Sequence, residues 1–412
     1  MKKQQVAIIG GGAAGLMAAC TAAERGFTVT VFEKMPRPAR KILVTGKGRC
    51  NVTNATDTAG LIAHVPHNGR FLYSAFSAFD AEKTVLFFEK AGVPLKTERG
   101  NRVFPRSEKA MDIADALVNT AKKAGVRFVQ AAAKQITVQN GAVAGFTSQT
   151  GQFYPCSQIV LATGGFSYPT TGSTGDGFAI AAKLGHTVLP PRAALTGLTV
   201  LEEFCSYAAG LTLKNVKLTV TEQGAKKPCY SEQGELLFTH TGISGPLVLS
   251  ASSAMRGQTA EGALAVLDFK PALQPPQLEK RLQRDFDAEP NKDLGNILTH
   301  LLPQKVIPPV LKAAHLPPSF KANAVTKPQR AALAAAVKAL PLHITGFGEL
   351  EQAVITRGGV SVKEVDPKTM QSKLINGLYF AGELLDVDGF TGGFNLQIAF
   401  ATGYCAAKGL NF

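Results

Sequence analysis

Three glycines and one acid in this chain are spaced as a bound dinucleotide requires. Gly10, Gly12 and Gly15 form a Gly-x-Gly-x-x-Gly turn, and Glu33 follows about twenty residues later. A diphosphate is held by backbone N–H groups, which approach it closely only where side chains are missing. Gly10 permits the tight turn, Gly12 admits the diphosphate, and Gly15 lets helix and strand pack closely. Glu33 accepts hydrogen bonds from ribose hydroxyls and would repel a 2′-phosphate. Beyond it, Lys34 to Thr56 carries six basic residues and no acid. Within that run Arg40, Lys41 and Arg49 are candidates for phosphate or substrate contacts, and Gly46 and Gly48 bring backbone amides close to a ring or phosphate. Any one of these cations taken alone is equally a solvated side chain.

The elements that must position these groups follow from local pattern. Val6–Ile9 is a short apolar run of the buried parallel-strand type. A helical stretch from Ala13 to Arg25 is ended by Gly26, and Thr28–Phe32 is a second strand that places Glu33 at its carboxyl end. Residues 71–92 and 108–124 are predicted amphipathic helices, Val126–Gln130 a strand, and Asn140-Gly141 a hairpin. Ile159–Leu161 runs into Thr163-Gly164-Gly165, and Thr171–Gly177 leads into a helix over Phe178–Leu184 with Asp176 as cap or ligand contact.

Near Pro190-Pro191 the character changes. Residues 192–270 show alternating strands with turn chemistry at Gln223-Gly224 and Gln233-Gly234, and residues 271–340 are helical between prolines. The α/β pattern then returns in Ala353–Thr356, in Leu378–Glu383 and in a closing helix over Ile398–Lys408 whose small residues allow close packing. A helix start near Asn395–Gln397 favours negative charge on a bound ligand. The predicted architecture is a Rossmann-like α/β domain built from both chain ends, 1–191 and 341–412. An inserted domain, 192–340, is β-barrel-like in its first half and helical in its second.

Composition bounds the function classes. At 412 residues, 18% charged and 45% hydrophobic, the chain suits a globular enzyme of two or three domains. No apolar run has the length of a membrane span, and the chain enters its first strand without a cleavable signal region, so no membrane partner is expected. Six cysteines stand far apart with no C-x-x-C pair, which argues against zinc, iron–sulfur clusters and a disulfide framework and fits a reducing cytoplasm. The net charge is +14, and residues 1–130 hold 20 Lys/Arg against 10 Asp/Glu. Such a surface attracts nucleic acid or anionic lipid, but it equally neutralises a diphosphate and an anionic small-molecule substrate. With no aromatic-rich basic motif, nucleic acid is the less favoured partner. Nothing in the sequence specifies an oligomeric state.

Separated motifs together resemble a known group. The glycine turn with Glu33, Ala162-Thr-Gly-Gly165 and Ala381-Gly-Glu383 resemble the two-dinucleotide-binding-domain flavoproteins, and Thr174-Gly-Asp-Gly177 is similar to the fumarate-reductase type. Thr45–Asn51, Thr239–Pro246, Thr356–Val360 and Asp386–Gln397 resemble the aminoacetone-oxidase and BaiN-type family of FAD-dependent oxidoreductases. The resemblance implies FAD, with adenosine near Glu33, diphosphate over Gly12, Ala13 and Ala14, and isoalloxazine near Thr45–Asn51, Asp176 and Glu383–Gln397. The cofactor set so implied is Gly10, Gly12, Ala13, Ala14, Gly15, Glu33, Lys34, Arg40, Lys41, Thr45, Gly46, Arg49, Cys50, Asn51, Ala131, Thr163, Gly164, Asp176, Gly382, Glu383, Asp386, Gly393, Asn395, Leu396 and Gln397. No second glycine fingerprint marks a dedicated nicotinamide domain, so NAD(P)H is expected only as a transient electron donor.

The expected reaction is NAD(P)H-driven reduction of an activated C=C bond in a small organic molecule. Amine oxidation with oxygen is the alternative, and a basic nucleic-acid-associated flavoprotein is the alternative from another class. Reduction of an enone needs a hydride, a proton and a cation near the carbonyl oxygen. Arg357 is the electrostatic candidate, against a structural ion pair. His240 is a candidate proton donor, against a histidine satisfied by backbone, and Arg49 a candidate for phosphate or flavin contact. Cys50 is expected to pack beside the flavin.

Overall fold

The computed structural model describes residues 4–412, which form two compact units. The first comprises residues up to Ala194 together with Leu350–Phe412, and the second Leu195–Glu349. The first unit is organised around Gln5–Ile9, the middle strand of a five-stranded parallel sheet. On one side of it lie Thr28–Glu33 and then Arg127–Gln130; on the other lie Gln158–Leu161 and then Leu378–Phe380. Both chain ends therefore share one sheet. Its middle strand buries Val6 through Ile9, as a parallel strand covered on both faces must.

Two helices cover this sheet beside the glycine turn, Ala13–Glu24 and Phe394–Gly409. They approach closely because their contact faces are small: a Cβ on Gly403 would stand 2.2 Å from the Ala14 carbonyl oxygen. A two-stranded antiparallel ribbon, Val188–Ala194 with Ile355–Val360, sets Arg192 opposite Arg357. A small antiparallel sheet joins Thr53–Asn54, Arg102–Pro105 and Leu95–Glu98. The helix expected over 71–92 is two, Tyr73–Ala78 and Ala81–Lys90, because Asp80 caps the second by accepting from the Lys83 amide at 2.8 Å.

The second unit is a closed barrel of six strands. They are Leu198–Val200, Gly242–Ser244, Tyr230–Thr239, Thr212–Thr221, Leu264–Asp268 and Leu340–Phe347, in barrel order. Four helices of seven residues or more accompany it, at Pro246–Ala254, Pro275–Ala288, Ile307–Ala313 and Lys327–Lys338. The pair Gln233-Gly234 is not a turn: it lies inside Tyr230–Thr239, paired with Lys217 and Val216 beside a register shift. The second unit also runs past residue 340, since Leu340–Phe347 alternates buried and exposed positions as its last barrel strand.

Candidate functional site

The glycine turn works by backbone geometry. Gly10 has φ +104°, and a Cβ there would lie 2.4 Å from the Ala162 carbonyl oxygen. A Cβ on Gly15 would lie 1.9 Å from the Gly10 carbonyl oxygen, so only glycine lets the helix start this close to the turn. Gly12 faces open space, and the helix it begins has no side-chain cap. The first amides of that helix are thus left for a ligand.

Gly10, Gly12 and the first residues of that helix, Ala13 and Ala14, line a cleft in the first unit, while Gly15 packs beneath the turn. Two further helix starts border it. Asp176 opens the helix Asp176–Lys183, and Asn395 and Leu396 lie in the first turn of the closing helix, again without side-chain caps. Three positive dipole ends therefore meet one cleft, an arrangement that suits an anionic, oxygen-rich ligand. Thr163, also in the wall, carries a buried hydroxyl with no protein partner. Buried hydroxyls are ordinarily paired, so this one is poised for a ligand group. The donor set fits a dinucleotide.

The charged side chains of the wall are held in place by the protein. Glu33 accepts from the Gly11 amide at 2.7 Å and from the Met35 amide at 2.8 Å, one through each carboxylate oxygen. Each oxygen keeps a further lone pair for a hydroxyl. Lys34 donates to Asp176 at 2.6 Å and to the Thr174 hydroxyl. Burial pushes the Asp176 carboxyl up, but the hydrogen bonds from Lys34 and Thr174 hold it below the usual carboxylate range. Lys41 donates to both Ser167 and Glu383 at 2.6 Å, and Glu383 also accepts from the Thr356 amide at 2.8 Å. Arg40 lines the cleft with no ion-pair partner among the described residues, which leaves its charge for the ligand.

Of the residues expected at the cofactor, Gly10, Gly12, Ala13, Ala14, Glu33, Lys34, Arg40, Lys41, Thr45, Ala131, Thr163, Gly164, Asp176, Gly382, Glu383, Asn395 and Leu396 line the cleft. Others lie elsewhere. Arg49 donates to Glu108 and, at 2.6 Å, to Glu98, with its guanidinium 4.2 Å over the Phe104 ring. It belongs to an ion cluster completed by Lys96, outside the cleft wall. Gly46 and Asn51 lie in the same loop region and also miss the wall. Cys50 is fully buried, which pushes its thiol up to about 12 and makes it a packing residue.

Gln397 is likewise structural. Its carbonyl accepts from Thr53 at 2.7 Å and Thr84 at 2.8 Å, while its amide donates to the Phe79 carbonyl. Gly393 begins the closing helix, packed against Thr53. Asp386 accepts from His67 at 2.9 Å and from Asn68 at 2.9 Å. Arg357 is buried and makes a bidentate pair with Asp388, at 2.6 and 2.5 Å. His240 sits in the second unit, exposed at the turn between Tyr230–Thr239 and Gly242–Ser244.

The sequence reading passed over Ser167, Thr356, His67, Asn68 and Asp388 as site partners. Thr356 accepts from the Phe166 amide at 2.8 Å and the Ser167 amide at 3.1 Å, which ties the ribbon to the loop after Gly165. Asp386-Val387-Asp388 was a visible signal: alternating acids flank Val387, which lines the cleft. Their partners His67 and Arg357 lie far away in the chain.

A family model described as the HI0933-like protein Rossmann domain matches residues 4–409. The chain is 32% identical over 412 residues to the 3-dehydro-bile acid delta(4,6)-reductase of Clostridium scindens, spanning 98% of both chains. It is also 32% identical over 419 residues to the ribosomal RNA dihydrouridine synthase of Escherichia coli, spanning 100% of this chain and 98% of that one. Among solved structures, 3-ketosteroid delta1-dehydrogenase from Sterolibacterium denitrificans shares the fold, with TM-score 0.53 and 14% identity over 99% of each chain. Because the family match runs through both segments of the parallel-sheet unit and the barrel between them, the chain belongs to the HI0933-like Rossmann family of FAD-dependent oxidoreductases.

Proposed function

We propose that this enzyme saturates a C=C bond conjugated to a carbonyl, with NAD(P)H as the transient source of electrons. The observation that carries this reading is the pair of relatives at 32% identity. A delta(4,6)-reductase of a 3-dehydro compound and a dihydrouridine synthase share no substrate skeleton. Each nevertheless saturates an alkene conjugated to a carbonyl, and that shared chemistry supports the same reaction type here. FAD, when bound, supplies the hydride.

The chain's own residues divide the remaining work. The amides of Gly12, Ala13 and Ala14, with Arg40, hold the diphosphate, and Glu33 holds the ribose hydroxyls. The starts of the helices at Asp176 and at Phe394 favour negative charge on the rest of the cofactor. Lys41, Ser167 and Glu383 fix the wall between the glycine turn and the ribbon. Arg357 acts as a positioning residue: Asp388 cancels its charge, and the pair clamps the ribbon to the segment that carries Val387. Arg49 and His240 receive no part in the chemistry. Six free cysteines favour a reducing compartment, the cytoplasm.

A second reading is that the alkene belongs to a uracil within RNA. The net charge of +14 favours it, because a polyanionic substrate gains from such a surface. One experiment tests the first reading and sorts its rivals. The purified enzyme is mixed with NADPH or NADH without oxygen, and its visible absorption is followed. Bleaching of the flavin band, reversed by a 3-keto-Δ4 steroid or another enone with formation of the saturated product, is the expected result. A band that bleaches with an amine and returns only with oxygen establishes an amine oxidase instead. A protein with no flavin band after FAD is added defeats both.

A further inference from the structure

The basic excess of the first unit is not spread evenly. Residues 45–54 and 94–109 hold seven basic side chains against two carboxylates, Glu98 and Glu108. These two segments meet in the small antiparallel sheet, where Lys96 stands opposite Phe104 and Glu98 opposite Arg102. Both carboxylates are consumed locally: Arg49 pairs with Glu98 and Glu108, and Lys96 pairs with the same two acids. Lys47, Arg99, Arg102, Arg106 and Lys109 remain, all exposed and none in an ion pair among the described residues. Phe104 holds the array together from beneath, with the Arg49 guanidinium 4.2 Å and the Arg102 guanidinium 6.0 Å from its ring centre.

This array is attached to the lip of the cofactor cleft. Thr45, which lines the cleft, begins the loop that carries Lys47. At the other end, Asn54 donates to the Gly100 carbonyl at 3.0 Å and to the Gly392 carbonyl at 3.2 Å. That bond ties the hairpin tip to the turn that starts the closing helix, whose Asn395 and Leu396 also line the cleft.

We propose that the sheet formed by Thr53–Asn54, Leu95–Glu98 and Arg102–Pro105 is a docking platform for the sugar-phosphate backbone of single-stranded RNA, placing one base at the cleft. The proposal rests on the RNA reading of the substrate. A compact anion such as a steroid carboxylate needs one cation at the cleft, not a row extending away from it. The exposed side chains here are mostly polar or basic, Pro94 being the small apolar one among Lys47, Thr97, Arg99, Asn101, Arg102, Arg106, Ser107 and Lys109, and three are guanidiniums, which match phosphate oxygens in pairs. A single strand is required because a paired base keeps both ring faces stacked, whereas hydride delivery needs one face uncovered.

The test is RNA affinity of the FAD-loaded enzyme across salt concentration, read by anisotropy of a fluorescent uridine-containing single strand of about 20 nucleotides. Five phosphate contacts give a log–log slope near −3.5, a loss of roughly a hundredfold between about 50 and 200 mM salt. The variant Arg99→Ser/Arg102→Ser/Lys109→Ser should lower the slope by about 2, leaving a loss of only roughly sevenfold. Arg99→Lys/Arg102→Lys/Lys109→Arg should restore it, and the flavin band reports folding of each variant. Removing the same number of exposed cations elsewhere, by Lys122→Ser/Lys123→Ser/Arg127→Ser, should leave binding unchanged. The proposal is overturned if the first variant keeps the full slope, if the control loses as much, or if anionic phosphatidylserine vesicles bind and RNA does not. If RNA fails to bind while NADPH still bleaches the flavin and an enone restores it, the platform falls and the reductase reading stands.

Discussion

Glu33 shows how one side chain joins the fold to the ligand. Two backbone amides hold its carboxylate at the end of the second strand, so its hydroxyl-accepting lone pairs are oriented before any ligand arrives. Glu33→Ala removes hydrogen bonds to a charged acceptor, about 1.5–3 kcal/mol, so FAD affinity should fall roughly 10- to 100-fold in an absorbance titration. An unchanged affinity would move the ribose away from this residue. Arg357 makes the opposite case, in which burial decides the role. Arg357→Ala leaves Asp388 buried and unpaired, at a cost of about 3–5 kcal/mol in urea unfolding. Loss of activity with wild-type stability would instead give Arg357 a direct part in the chemistry.

At the scale of elements, close packing and buried polar contacts set the tolerances. The opening and closing helices meet through Gly403, where a Cβ would strike the Ala14 carbonyl. Gly403→Ala should therefore force the helices apart, cost about 1–3 kcal/mol, and loosen FAD because Ala14 lies in the diphosphate turn. The turn after the helix Asp176–Lys183 is held by His186, whose ring bonds Glu364 at 3.2 Å and Ser372 at 2.9 Å from its two nitrogens. Burial lowers the proton affinity of His186, opposed by the Glu364 carboxylate. The unfolded chain then binds the proton more readily than the folded one. The stabilising effect of the neutral ring is full above the unfolded value near 6.5 and fades as pH falls below it. Urea midpoints should drop below about pH 6.5 in the wild type and more shallowly in His186→Asn.

For the whole molecule, each of the two units has its own hydrophobic core, and the described cofactor cleft lies within the first. FAD should therefore stabilise the first unit alone. At free FAD a hundredfold above Kd the gain is about 2.7 kcal/mol, seen calorimetrically as one transition rising while the other stays. A single transition that shifts as a whole would mean that the barrel unfolds with the parallel-sheet unit.

The sequence alone determined the dinucleotide turn, the order of strand, helix, strand and acid, and the return of the C-terminal segment to the same domain. These features depend on backbone conformation and hydrophobic period over a few residues, which neighbouring residues specify. It also made the alternating strands of 192–270 visible, while Leu340–Phe347 went unseen behind an alanine-rich helix. What the tertiary structure decided is which side chains meet. Lys41 finds Glu383 across 342 positions, and Gln397, expected at the cofactor, is taken up by Thr53 and Thr84. Arg49, read as a ligand contact, is claimed by Glu98 and Glu108 because the hairpin folds back onto its loop. A cation's partner is set by strand order and by the geometry of close approach, and Coulomb attraction acts through space irrespective of distance along the chain. The same pairing frees the five neighbouring cations, so the basic platform emerges only once the fold has assigned every carboxylate.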